Sequence, residues 1–316
     1  MRIAIFGAGS VGGYFGGRLS QAGEDVVFIT RGDTLNALLT QGLRVDSING
    51  DFTVQPVQAT DDPSKAGEVD MVLVGVKAWQ VLEAAEAMRP MMGPETFVLP
   101  LQNGLEAPAQ LSETLGGQNI LGGLCGLFCY VARPGHVVHA GYDPFVKFGE
   151  LDNHRSQRVE LLLDTFKRAG VNAEIPPDVQ VAMWMKFLLI TVWSGMGAVT
   201  RSPAGIWRSL PDTRRMAKQG LREIIAVAKS RNILLPEEAL QTTMAMYDGL
   251  VPQSTASLQR DVMEGRPSEL EAQIGAVVRL GQESDVATPQ HTFIYRSLLP
   301  MELRARGQLQ FGDDTT

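Results

Sequence analysis

Cysteine is scarce in this chain: two residues in 316, Cys125 and Cys129. They form no C-x-x-C pair and no extracellular disulfide framework, which fits a reducing, cytoplasmic setting. No cluster of five or more basic residues occurs and the net charge is -7, so a nucleic-acid-binding surface is not expected and the partner should be a small molecule. No sequence repeat or low-complexity linker is found, and no signal peptide is expected ahead of the first strand. His136 and His139 are three apart, which on a strand places them on opposite faces and makes a poor metal pair. The one long apolar run, from Val181 to Val199, is interrupted by Lys186 and lacks a basic flank. It reads as a core helix, with no membrane partner, and its ammonium needs an explanation because burying one without a partner is costly.

What is present is hydrophobic content of 44% against 20% charged residues, the balance of a soluble globular protein. A length of 316 residues suits two domains better than one. The most informative stretch is Arg2 to Gly17. Ile3, Ala4, Ile5 and Phe6 suit a strand buried on both faces. Gly7-Ala8-Gly9-Ser10-Val11-Gly12 follows at once and matches G-x-G-x-x-G. The first glycine permits the tight turn, the second lets the backbone approach a diphosphate, and the third lets helix pack on strand. A helix opening near Ser10 would aim free N–H groups and its dipole at the anion. The second strand, Asp25 to Thr30, ends on Arg31 rather than a carboxylate, so the expected cofactor is NADPH, with Arg31 on the 2′-phosphate. Asp33 is expected to cap a helix from Thr34 to Thr40.

Strand and helix then keep alternating, which predicts a doubly wound parallel sheet. Leu43 to Ser47 and Phe52 to Val57 read as a local hairpin insertion. Strands at Asp70 to Val76 and Phe97 to Leu101 run toward Lys77 and Asn103, and in such sheets ligands sit beyond the carboxyl ends of the strands. Asn119 to Glu150 is expected to add short strands that complete this sheet, with Cys125 and Cys129 sharing a face. Pro176-Pro177-Asp178 is the expected boundary. Beyond it, helical periodicity marks segments at Val179 to Val199, Asp212 to Arg231, Pro236 to Asp248, Ser254 to Met263, Ser268 to Ser284 and Pro289 to Leu303. The expectation is an α/β N-terminal Rossmann-type domain over residues 1–175 and an all-α C-terminal domain over 176–316. The apolar helices of the second half suit a homodimer, and the tail from Gly312 to Thr316 is expected to be disordered.

For carbonyl reduction a nicotinamide needs a proton donor, and Lys186 is the candidate, because an ammonium on an apolar helix can both stabilise a developing alkoxide and protonate it. Its carboxylate partner is open among Glu223, Glu264, Glu269 and Glu271, which spacing does not separate.

The ordered set GAGSVG, VKAWQ (Val76 to Gln80), QNG (Gln102 to Gly104), MKFLL around Lys186, and SLQRD followed by SELEAQIG resembles the ketopantoate reductase family over essentially the whole chain. The resemblance implies a Rossmann domain binding NADPH, a helical domain, an active site where the two meet, and reduction of 2-dehydropantoate, a 2-oxo acid, to pantoate in pantothenate synthesis. It implies Lys186 as general acid and Glu269 as the carboxylate that binds the substrate hydroxyl and orients the lysine. It further implies Asn103 and Lys77 along the nicotinamide and substrate, Ser257 on the substrate carboxylate, and Glu223 as an auxiliary carboxylate. The chain departs from the family where two asparagines become Ile190 and Ser194, one and two turns beyond Lys186 on the same helical face. Those two positions are expected to face substrate, and a paralogue reducing another 2-oxo acid is the alternative. A non-catalytic NADPH sensor is disfavoured by the presence of both Lys186 and Glu269.

Overall fold

A computed structural model describes residues 1–310; the tail from Gly312 lies outside the described residues. The chain forms two compact units, one of Met1–Gln102 and Glu106–Ala182, the other of Asn103–Leu105 and Met183 onward.

The first unit opens with β1 (Arg2–Phe6), α1 (Ser10–Gln21), β2 (Asp25–Ile29), α2 (Gly32–Gln41), β3 (Leu43–Ser47), β4 (Phe52–Val54), β5 (Gln58–Thr60) and β6 (Val69–Val74). A single tight turn at Ala78–Gln80 leads into α3 (Val81–Met88), β7 (Met92–Pro100) and α4 (Ala107–Leu115). The unit continues through β8 (Leu121–Gly126), β9 (Cys129–Arg133), β10 (His136–His139), β11 (Phe145–Glu150), α5 (Gln157–Arg168) and β12 (Asn172–Glu174). Its central sheet is five-stranded in the order β5-β2-β1-β6-β7, every pairing parallel. Apolar runs such as Ile3 to Ile5 and Met71 to Val74 are fully buried, as strands covered on both faces must be.

The strands after Asn119 form two further sheets rather than added rungs of that one, although Ile120, just ahead of β8, makes a single parallel bridge to Val98 of β7. A four-stranded sheet has the order β4-β3-β10-β9, and a three-stranded one the order β12-β11-β8. The hairpin β3–β4 is therefore part of a larger sheet, joined through parallel pairing of β3 with β10. Helix α1 explains the arrangement, because its small residues admit neighbours on more than one side. A Cβ at Gly16 would stand 2.7 Å from Ile5 and Phe28, one at Gly13 2.8 Å from Val137, and one at Gly17 3.0 Å from Leu43 and Phe52. Cys125 and Cys129 fall in different sheets rather than on one strand face, and both are free thiols. Burial, with the nearby Cys125 adding to it, pushes the Cys129 thiol up to about 12. Asp33 is not a helix cap. Gly32, at φ +61, turns the chain so that α2 begins at once behind Arg31, and Asp33 lies in the first turn.

The second unit is helical. Helix α6 (Val179–Thr200) starts in the first unit, just past the Pro176-Pro177-Asp178 turn, and continues into the second. There follow α7 (Ala204–Trp207), which the periodicity did not reveal, α8 (Pro211–Ser230), α9 (Ala239–Gly249), α10 (Ser257–Met263), α11 (Ala276–Glu283) and α12 (Pro289–Ala305). The expected single helix from Ser268 is interrupted: Glu271–Gly275 is a π-helical turn, in which the Gly275 N–H reaches back to the Leu270 carbonyl at 2.9 Å. Helix α6 has the length and apolarity of a membrane span, yet 61% of its most apolar window is buried inside the protein. That is the behaviour of a core helix. Its Phe187, Leu188, Val192 and Met196 pack with Trp207, Leu221, Ile224 and Tyr247 in one apolar cluster.

Candidate functional site

In the first unit the chemistry-bearing residues lie just beyond the carboxyl ends of β1, β2 and β6. Gly7 takes φ +100, and a Cβ there would stand 2.8 Å from Val76. A Cβ on Gly12 would lie 2.0 Å from the Gly7 carbonyl oxygen and 2.9 Å from Ile5, so only glycine lets α1 close on β1. Gly9 is different: nothing lies within 4 Å of the position a Cβ would take. No side chain caps α1 and its first turn holds no acidic residue, which leaves the amides of Ser10, Val11 and Gly12 directed at any anion above Gly9. The corner therefore fits a dinucleotide diphosphate. An alanine at Gly9 is expected to leave the melting temperature unchanged but to weaken NADPH binding by roughly 1.5 to 3 kcal/mol, the worth of a hydrogen bond to a charged group, in a fluorescence titration.

Arg31 stands behind β2 with its side chain 76% exposed, and its nearest charge partner is Glu83, at 3.6 Å. An exposed pair of this kind holds the guanidinium weakly, so it is available to a phosphate. Arg31→Ala is expected to cost NADPH binding roughly 1 to 3 kcal/mol while NADH affinity changes little. An equal loss for both cofactors would remove Arg31 from the 2′-phosphate. Lys77 follows β6, its ammonium 5.7 Å from the centre of the half-exposed Trp79 ring. Gln102 holds this turn, donating to the carbonyls of Val74 at 2.8 Å and Val76 at 3.0 Å.

Asn103, the next residue, belongs to the second unit. Its side-chain amide donates to Glu269 at 3.1 Å, and the Gln273 amide donates to the same oxygen at 3.4 Å. Gly104 makes this approach possible. It takes φ +107, and a Cβ there would be 2.7 Å from the Ala272 carbonyl, so Gly104 lies directly on the π-helical turn. Glu269 is 6% exposed. Gln273 was missed by sequence reasoning, although its place four residues after Glu269 was a signal for a helical pair.

The other three candidate carboxylates have structural work. Glu223 accepts from the backbone N–H groups of Gln290 (2.8 Å) and His291 (3.0 Å) and from the His291 ring (2.7 Å), which makes it the cap of α12 rather than an auxiliary catalytic group. Glu264 is exposed and paired with Arg266. Glu271 accepts from Arg279 at 2.8 Å and from the Tyr295 hydroxyl at 2.5 Å.

Burial alone would raise the Glu223 carboxyl, but the His291 ring and the two amides outweigh it and hold it below its ordinary 4.5. A depressed folded value means that its stabilisation is present above about pH 4.5 and is lost as pH falls through the folded value. Glu223→Ala is accordingly expected to destabilise the protein by about 1 to 3 kcal/mol, because it orphans buried donors. Thermal melts check this, and kcat of the remaining folded enzyme should be preserved.

On α6, Lys186 and Ile190 are half-buried one turn apart. The Lys186 ammonium has no hydrogen bond or ion pair among the described residues. Tyr247, fully buried on α9, donates to the Leu189 carbonyl at 2.8 Å and so pins α6 between these two positions. Ser194 corrects the sequence reading. It shares the helical face of Lys186 and Ile190, but it is fully buried and its hydroxyl has no partner among the described residues, because by that turn α6 has entered the core. Ser257 is half-buried at the start of α10. That helix packs on α6 where a Cβ at Gly197 would meet the Gln259 side chain at 2.2 Å. A surface groove of about 690 Å3 lined by Thr288, Pro289, Phe293 and Arg296 contains none of these residues.

A parallel sheet with this glycine corner, joined to a helical unit that carries a buried amide–carboxylate pair, is the architecture of a dinucleotide-dependent oxidoreductase. The match to known proteins is specific. The chain belongs to the ketopantoate reductase PanE/ApbA family, whose profile matches residues 3–153 and whose C-terminal profile matches residues 178–302. It is thereby an NADPH-dependent oxidoreductase of the type that acts on a CH–OH group. It is 31% identical over 314 residues to a 2-dehydropantoate 2-reductase from a Nostoc species, covering 98% of each chain. It is also similar to the crystal structure of 2-dehydropantoate 2-reductase from Geobacter metallireducens, with 32% identity, a TM-score of 0.86, and coverage of 95% of this chain and 99% of that one. The fold alone is shared with a D-mandelate dehydrogenase solved with NADH and anilino(oxo)acetate, at a TM-score of 0.89, 21% identity, and coverage of 97% and 99%.

Proposed function

We propose that this protein reduces 2-dehydropantoate to pantoate, with Lys186 as the proton donor and Glu269 as the carboxylate that receives the substrate hydroxyl. The observation that carries the reading is the delivery of the Asn103 amide to buried Glu269 by a glycine that fits the π-helical turn. Three carboxylates of the second unit are occupied by caps and ion pairs, which leaves Glu269 as the one held by side-chain amides. Bound NADPH supplies the hydride to the carbonyl carbon of the 2-oxo acid. Lys186 holds a proton for the oxygen that becomes the alkoxide, and its half-buried place on an apolar helix strengthens that electrostatic contact. Lys77 and Asn103 bind along the nicotinamide and substrate, and Ser257 accepts the role of hydrogen-bonding the substrate carboxylate.

A second reading is favoured by one residue. Ile190 is half-buried one turn from Lys186 and offers no hydrogen bond, which suits a 2-oxo acid with an apolar tail. Following the oxidation of NADPH with a panel of 2-oxo acids tests both. Highest kcat/KM on 2-dehydropantoate supports the first reading, and highest kcat/KM on an apolar 2-oxo acid supports the second. Cofactor binding without turnover on any of them overturns both.

A further inference from the structure

The residue just before Glu269 is held in an unusual way. Ser268 is fully buried, and its backbone N–H donates to both carboxylate oxygens of Glu302 on α12, at 3.1 Å each. Its hydroxyl donates to Glu302 at 2.5 Å and accepts from the Leu270 N–H at 3.3 Å. Arg306, one turn beyond Glu302, donates to the Ser268 carbonyl at 3.0 Å and to the Glu302 carboxylate at 2.6 Å. Every polar atom of Ser268 is thus engaged. Glu302 is 2% exposed, and a buried carboxylate is a poor choice if the aim is only to pin α12 to the segment ahead of the π-helical turn, since apolar packing does that without desolvating a charge. What the charge adds is direction: three donors converge on one group and fix the backbone on the N-terminal side of Glu269. The amides of Asn103 and Gln273 fix the other end of the same residue, at its carboxylate.

We infer that Glu302 is a positioning residue for the reduction, aiming the Glu269 carboxylate by clamping Ser268, with Arg306 closing the clamp. The inference rests on the proposed role of Glu269. A misplacement of the order of an ångström is enough to depress turnover strongly without any loss of chemistry groups.

The test uses the full-length enzyme and NADPH, with whichever 2-oxo acid the wild type turns over best. Ser268→Ala removes one hydroxyl and adds no bulk, and Glu302→Gln keeps the shape while withdrawing an acceptor. Each is expected to lower kcat about tenfold at temperatures well below its melting point, with KM for NADPH unchanged. The decisive measurement is the same substitution in a Glu269→Gln background. Positioning predicts that Ser268→Ala then costs no further kcat, while its effect on the melting temperature persists. Wild-type kcat in Ser268→Ala overturns the inference, and so does an equal loss of kcat in both backgrounds. Should Glu302→Gln not fold, Ser268→Ala decides alone. Failure of the underlying reading looks different: Glu269→Gln itself would retain wild-type kcat.

Discussion

Lys186→Ala is expected to lower kcat by about two orders of magnitude or more, with NADPH affinity nearly unchanged. The size follows from the proposed role of the ammonium, which would act only in the transition state, where the carbonyl oxygen gains charge as hydride arrives. Cofactor affinity should be spared because the residues proposed for the diphosphate and 2′-phosphate, the glycine corner and Arg31, belong to the first unit, whereas Lys186 belongs to the second. The lysine has no ion pair among the described residues, so its removal orphans no partner and should cost little stability. Steady-state kinetics with a parallel NADPH titration separates the two effects. Turnover at the wild-type rate would exclude Lys186 as the proton donor.

The second large effect concerns Ile190. If the enzyme works on 2-dehydropantoate, its polar groups meet an isoleucine on α6, and Ser194 gives no help because it is sealed in the core. A missing hydrogen bond is worth about 0.5 to 1.5 kcal/mol, or up to about 3 to a charged group, so KM is expected to carry a roughly threefold to hundredfold deficit. Ile190→Asn should recover part of it. With an apolar-tailed substrate the same change acts the other way, since the amide replaces a packing surface and must itself be desolvated. Measuring kcat/KM for both substrates in both proteins tests this, and no change on either would place Ile190 outside the substrate pocket.

The parts of this molecule that were legible in the sequence are those fixed by local sterics. Gly7 and Gly12 announce the βα corner because no other side chain fits there, and Arg31 is found by where β2 stops. Helices α6, α8 and α12 follow from apolar periodicity. Strand pairing between distant segments is not a local property, so the division of the stretch after Asn119 into two extra sheets could not be read from its own residues. Spacing put Ser194 on the face of Lys186 correctly, but depth depends on what packs around a helix. The roles of Glu223 and Glu302 were hidden for a related reason: each carboxylate serves backbone groups 34 or more positions away.

The π-helical turn at Glu271–Gly275 bears on why the two faces of this segment can coexist. Each added residue in a helix advances the direction of its side chains by about a hundred degrees, so one residue more than an α-helical turn would use acts as a phase shifter. Upstream of it, Glu269 is turned toward the amides of Asn103 and Gln273; downstream, Ala276, Val277 and Leu280 are turned toward the apolar cluster. A rod with one constant period would bring one of these faces into line only by rotating the other out of it. The single surplus residue lets a polar end and a packing end be set at independent angles along the same stretch of backbone.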